Sequence, residues 1–445
     1  MKWRSWLLLA LAAVIHLVML VGWRWQMPLV PYFFDATVLS GGRGLDFYSI
    51  YQAGYNARHG ADVYEGNPAK VAVVVPYFTP YRYLPVVAYT AGAALSLWPP
   101  LTAYKIWVVV VELTLLLCVF ITYRRVRDPR RSPERSDGDD LFACLAVMWL
   151  CFTPYYLELF MGQFSLVQGA LVFGMLIFAA DAERAKGAEK AQTDSAMTFG
   201  VLWLTSVLWK INTLIFAPAL LRLRRFRILV VTTLVVAVTT IPYFLIFPAH
   251  LRDFLVNNFG NSVTGHELGN LGFRQLVFEL LAAAGAPPSL QRLAQFGVVA
   301  IVLGLSLIVT FYFPRRPSRR VSDNRGSGLS NAQLPLTSYL SLWLTAFFLL
   351  SPQIWEHHTV MLLPVLVWTY WQKPGWFVCL LWLLLALPTP FGFIGLQPVV
   401  AANHDLRAFP LEPAWRPLLQ HASKAAPTLG LFLYLALGFK HQPAR

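Results

Sequence analysis

Asp46 is the residue whose type and setting point most directly to chemistry. It stands in Gly44-Leu45-Asp46-Phe47-Tyr48, after a long apolar N-terminal run. From Phe47 to Gly60 apolar and aromatic residues recur at helical spacing, with Phe47, Ile50, Tyr51, Gly54 and Tyr55 on one face. That spacing predicts an amphipathic helix lying on a membrane surface. An aspartate just ahead of such a helix serves either as its N-cap or as a general base at the lipid–water boundary, where partial desolvation lifts a carboxylate's pKa. Lys210 is flanked by apolar runs, where a lysine is costly and functional by default, with a phosphate as its obvious partner; the alternative is an interfacial anchor. Arg82, in the Pro-framed run Phe78 to Pro85, suits an anionic headgroup or simple snorkelling. Glu356-His357-His358 follow Ser351 to Trp355 at a helix start. Adjacent histidines diverge on a helix, so one of the two is expected to face a site, for donation to phosphate or acid–base work. No third ligand stands at a metal-like spacing from them. Gln163, in Gly162-Gln163-Phe164-Ser165, and Arg274, a partner for an anionic ligand, are weaker alone. Asp62-Val63-Tyr64-Glu65 is expected to close the Asp46 helix as a turn.

The elements that must position these residues are membrane helices. Of the 445 residues 57% are apolar and only 13% charged, against roughly 25% charged in a soluble domain. The apolar runs between charge clusters are long enough to cross a bilayer, and in lipid such runs must be helices. We expect membrane segments near 5–23, 83–97, 101–123, 141–153, 164–180, 197–209, 211–221, 228–247, 293–313, 338–351, 358–371, 376–393 and 426–440. They form one polytopic domain over 1–445, all-α, with about 11–13 membrane segments including short and re-entrant ones. The net charge of +14 sits in basic clusters (Arg124 to Arg135, Arg184 to Lys190, Arg222 to Arg227, Arg315 to Arg325) that read as cytoplasmic anchors rather than a nucleic-acid surface. For the alternation to hold, 83–97, closed by Trp98-Pro99-Pro100, must be re-entrant or interfacial, and 197–221 a shallow hairpin with Lys210 at its tip. Long loops at about 26–82, 248–291 and 394–425 then fall on the other side. Cys118, Cys144, Cys151 and Cys379 all lie in apolar runs and read as small buried hydrophobes.

Taken in order, Asp46-Phe47 with the helix through Gly60, Asp62-Val63-Tyr64, Tyr83-Leu84-Pro85, Gly162 to Ser165, Lys210 followed by Pro218, and Ser351-Pro352 through Trp355, His357 and His358 resemble glycosyltransferase family 87, the polyprenol-phosphate mannosyltransferase-like proteins of the GT-C superfamily. The third outer loop matches nothing in that pattern. The resemblance implies a GT-C-type helical bundle in a bacterial inner membrane, with its active site on the periplasmic side. It implies inverting transfer of a sugar, mannose above all, from a polyprenyl-phosphate donor to an envelope glycolipid or polysaccharide acceptor. Asp46 would be the general base, and Lys210, His357, His358, Arg82 and Arg274 would bind the donor phosphate. Tyr48, Gln163 and Glu356 would support the acceptor or the structure. No cofactor is implied, and the need for a divalent metal stays open. Two other classes compete: a lipid or solute transporter or flippase, which also uses re-entrant helices, and a non-catalytic subunit of envelope assembly.

Overall fold

The computed structural model describes residues 2–25, 42–128, 138–185, 189–259, 267, 269–312, 335–396 and 413–438. Among these the secondary structure is helical throughout, with no strand. The helices are α1 (Trp3–Trp25), α2 (Leu45–Arg58), the broken helix α3 (Pro85–Leu95), α4 (Pro100–Val126), α5 (Gly138–Leu150), α6 (Pro154–Met161), α7 (Ser165–Arg184), α8 (Glu189–Trp209) and α9 (Ala217–Arg222). They continue as α10 (Phe226–Ile246), α11 (Pro248–Phe259), α12 (Phe273–Ala283), α13 (Pro288–Phe311), α14 (Leu336–Leu350), α15 (Leu363–Gln372), α16 (Trp376–Ala386) and α17 (Trp415–Gly438).

Among the described residues five helices, α1, α4, α7, α10 and α13, are long and apolar enough to cross a membrane. The pair α5–α6, bent by 41°, is long and apolar enough together to form either a sixth, broken span or a re-entrant loop. Pro154 opens α6 there, and a proline is tolerated in the first helical turn but cannot continue α5. Four shorter apolar helices stand among the long ones. This is the multi-span, all-α bundle expected of a GT-C-type chain.

Expectation and structure part in several places. The predicted span 141–153 is only the first limb of a longer bent unit. The predicted segment 358–371 begins as a 3₁₀ helix, Glu356–Leu362. The last helix starts at Trp415, so it takes up the final third of the predicted loop 394–425. The loop 248–291 folds into α11 and α12. The basic stretch Arg315 to Arg325 lies outside the described residues.

Ion pairs gather one set of helix ends. Lys2, just before α1, and Ser5 in its first turn both bond Asp140 at the start of α5, the lysine at 3.1 Å. Arg127, just past α4, meets Asp139 at 2.5 Å, and Arg125 meets Asp181 of α7 at 2.7 Å. The Leu336 amide at the start of α14 donates to Glu183 at 2.6 Å. The start of α1, the end of α4, the start of α5, the end of α7 and the start of α14 therefore share one end of the bundle. The opposite ends of α7 and α14 adjoin a cavity, which Gln163, Phe347 and Phe348 help to line.

Helix α3, at 11 residues, rises about 16 Å, too little to cross a bilayer, in keeping with a re-entrant or interfacial element. It is interrupted by a π-helical turn, Ala88–Gly92. Helix α2 packs against it so closely that a Cβ on Gly54 would lie 1.9 Å from the Gly92 carbonyl carbon.

Candidate active site

Local sequence sets the approach of Asp46. Gly44 caps α2 in the left-handed region (φ 80°), and its amide donates to the Phe160 carbonyl at 2.7 Å. The partner turn is Gly162, also left-handed (φ 68°), where a Cβ would meet Phe47 Cβ at 2.5 Å. Tyr104 locks the same junction by donating to the Leu159 carbonyl at 2.8 Å. Asp46 thus lies inside the first turn of α2 and is not its N-cap. That removes the capping alternative and leaves its carboxylate free to face the cavity.

Helix α2 itself is not a surface helix. Most of its residues are buried, polar Ser49, Gln52 and Asn56 among them. Gln52 bonds the backbone of Ala72 and Val74, and Asn56 bonds the Asp62 carbonyl. The segment after the helix therefore covers the face predicted to be wet. Asp62 forms the expected turn, accepting from the Tyr64 amide at 2.7 Å, and its other oxygen pairs with His250 at 2.7 Å.

One cavity of about 780 Å³ collects residues far apart in the sequence: Asp46, Arg82, Gln163, Lys210, His357 and His358 all line its wall. Tyr83, Asn212, Asn258 and Trp355 line it too. Lys210 occupies the tip between α8 and the 3₁₀ turn Ile211–Phe216. There Trp203 donates to the Thr213 carbonyl at 2.9 Å and Gln168 to the Lys210 carbonyl at 3.0 Å. Its ammonium stands 5.7 Å from the Phe164 ring centroid, within cation–π range.

The Asp46 carboxylate, 23% exposed, lies 3.8 Å from His357 Nε2. Burial raises its pKa above the ordinary aspartate value, opposed by a hydrogen bond from Gln163 and by the charges of Lys210 and Arg82. Burial, with the Lys210 charge second, pushes His357 down to about 3, so its imidazole is neutral. His358 accepts the Trp355 amide on Nδ1 at 3.2 Å. Its neutral tautomer therefore carries the proton on Nε2, as a donor.

Both histidines line the cavity, where one had been expected. The segment is a 3₁₀ helix at this point, and the two rings pack edge to face, 4.4 Å between centroids. Three predicted site residues stand apart from the cavity wall. Tyr48 is buried among Phe47, Tyr77 and Tyr104. Arg274 reaches the Leu350 carbonyl at 3.4 Å and Gln295 at 3.5 Å. Glu356 is fully buried and faces away, bonded to Lys424 at 3.3 Å and to the Thr389 amide and hydroxyl at 3.2 and 3.1 Å.

Two supports of the histidine loop escaped the sequence reading. Lys424 of α17 also donates to the Leu385 and Leu387 carbonyls. Asn270 accepts the Ile354 amide at 3.0 Å, donates to the Pro352 carbonyl at 2.8 Å, and has its own carbonyl bonded by His421 at 2.7 Å. Lys424 carried only a weak signal, since it stands ahead of the apolar run 426–440 in company with Arg416, Gln420, His421 and Ser423. Asn270 carried none.

Among the described residues no group of three or more His, Cys, Asp or Glu is placed to hold a metal ion. Arg82 and Lys210 are the lysine and arginine side chains of the cavity wall.

A polytopic helical membrane protein with a carboxylate and cations around one large cavity has the parts for group transfer at a membrane. Comparison with family models gives the class of activity: glycosyltransferase family 87 matches residues 81–352, more than half of the chain. The chain belongs to that family and is a membrane glycosyltransferase. The match includes Arg82, Gln163, Lys210 and Arg274, and it leaves Asp46, His357 and His358 beyond its ends. No curated protein and no solved structure matches the chain.

Proposed function

We propose that the chain transfers a sugar, mannose in the first instance, from a polyprenyl-phosphate donor to an envelope glycolipid or polysaccharide, with inversion at the anomeric carbon. The observation that carries this reading is the shared wall of one cavity, which brings Asp46 together with Lys210, Arg82 and His358 from four separate stretches of chain. Asp46 takes the acceptor hydroxyl's proton as the oxygen attacks the anomeric carbon. The bond from that carbon to the phosphate oxygen breaks, and its electron pair leaves with the polyprenyl phosphate. Lys210 and Arg82 offset the charge gathering there, and His358 donates from Nε2. A direct displacement of this kind needs one base and a stabilised leaving group, not a pair of carboxylates.

The placement of the cavity supports a bacterial inner-membrane protein working on its periplasmic side. The paired ends holding Lys2, Arg125 and Arg127 are basic, and basic ends stay in the cytoplasm. The cavity lies at the other end of the bundle. The apolar wall formed by Phe347, Phe348, Met161 and Met361 suits the first isoprene units of the carrier.

Purified protein incubated with a panel of polyprenyl-phosphate sugars is expected to release polyprenyl phosphate from one or two of them, polyprenyl-phosphate mannose first. Release from none would overturn the reading.

A further inference from the structure

The His357 imidazole has no evident use in the scheme above. It is 2% exposed, and neither ring nitrogen has a hydrogen-bond partner. A buried polar group left without a partner costs roughly 1–3 kcal/mol, so its persistence in a cavity wall points to a ligand atom that completes it. A phosphate is a poor candidate for that atom. The ring is neutral, and the Asp46 carboxylate 3.8 Å away, in the ionised form that acts as base, would repel a phosphate bound at the same nitrogen.

A hydroxyl fits instead. An oxygen placed about 2.8 Å from both His357 Nε2 and Asp46 Oδ2 would see the two atoms at an angle of about 86°, an ordinary separation between one accepted and one donated hydrogen bond. The nearby carboxylate favours the tautomer with the proton on Nε2, facing it. In that state the histidine donates to the hydroxyl oxygen while the hydroxyl donates to the carboxylate.

We infer that His357 and Asp46 together form the acceptor-hydroxyl site, with His357 positioning the attacking oxygen, and that the donor phosphate is held by Lys210, Arg82 and His358 alone. The inference rests on the glycosyl-transfer reading. The hydroxyl proton passes to Asp46, its oxygen lone pair forms the new glycosidic bond, and the Nε2–H of His357 stays in place, fixing which lone pair is free to attack. His357 is neither acid nor base in this step. Its Nε2–H bond to the oxygen weakens as the other lone pair is drawn into the new bond and the oxygen loses electron density, so its contribution is orientation and not charge.

Two measurements on the full chain in detergent separate the roles: the affinity for polyprenyl phosphate, and its release from polyprenyl-phosphate mannose with octyl mannoside or water as acceptor. For His357→Ala we expect polyprenyl-phosphate affinity within twofold of wild type and turnover lowered tenfold or more. His357→Gln, whose carboxamide can still donate, should recover part of that turnover. Lys210→Met should weaken polyprenyl-phosphate binding at least tenfold. The inference is overturned if His357→Ala weakens that binding as much as Lys210→Met does, or if both histidine variants turn over like wild type. Should His357→Ala not fold, His357→Gln carries the same comparison. A wild-type chain that releases no polyprenyl phosphate defeats the underlying reading instead, and does so before any variant is compared.

Discussion

The surroundings of Asp46 disfavour its ionised form. Because burial raises its pKa, the folded protein holds the neutral acid better than the unfolded chain does. The group's effect on stability is therefore most favourable at low pH and declines as pH rises through the folded pKa. Replacing it by asparagine should leave the melting temperature unchanged or higher, while turnover falls by about 10²–10⁴-fold, the usual worth of a general base. A fall in both melting temperature and activity would mark the residue as structural. The same raised pKa sets the pH profile. Catalysis needs the carboxylate, so kcat should rise with pH along an acid limb centred above the ordinary aspartate value of about 3.9, and Lys210→Met should move that limb further up by removing a charge that opposes the shift. At this scale the sequence was informative where a charged side chain stood out against apolar neighbours, as Asp46, Lys210 and Arg82 did. It was silent on orientation. Glu356 and His357 are consecutive, yet one faces Lys424 and the other the cavity, and only the 3₁₀ geometry of that turn separates them.

At the scale of elements, the loop carrying both histidines is anchored by α17 through Lys424 and Glu356, 1% and 0% exposed. A buried pair contributes little net stability, but removing one partner leaves an uncompensated buried charge. Lys424→Met should therefore destabilise the protein by about 3–5 kcal/mol, read as a lower melting temperature in detergent, and Glu356→Gln combined with Lys424→Met should recover part of that loss. Equal melting of the single and double variants would contradict the pairing. Helix α2 offers a steric counterpart. Its contact with α3 has no space for a side chain at Gly54, and Gly54→Ala should cost about 1–3 kcal/mol as the two helices are forced apart. Element existence was legible because apolar runs of helical length have no other stable form in lipid. Element environment was less so. The polar face of α2 looked solvent-exposed because the residues that cover it, around Ala72 and Val74, pair through their backbone and leave no mark in side-chain chemistry. Likewise, nothing in the composition of 394–425 distinguished a loop from the helix that begins at Trp415.

For the whole molecule, charge placement is the basis of the proposed orientation, and the side on which the cavity opens follows from it. The basic pairs close one end of the bundle, and the cavity with Asp46 opens at the other. In a variant whose natural cysteines are replaced by alanine, a cysteine at Thr79, in the cavity wall, should react in intact cells with a membrane-impermeant maleimide, and one at Gly138 only after permeabilisation. The reverse pattern would put the cavity in the cytoplasm. The overall class was readable from hydropathy and basic clusters, whereas the convergence of residues 46, 82, 163, 210 and 357–358 depends on packing across more than three hundred residues, which no local pattern encodes. That convergence is tested most directly by an experimental structure of the Asp46→Asn variant with polyprenyl-phosphate mannose bound. The account predicts the phosphate between Lys210, Arg82 and His358, with the anomeric carbon turned toward residue 46 and His357. A phosphate seated outside this cavity, or a sugar whose anomeric carbon faces away from residue 46, would contradict it.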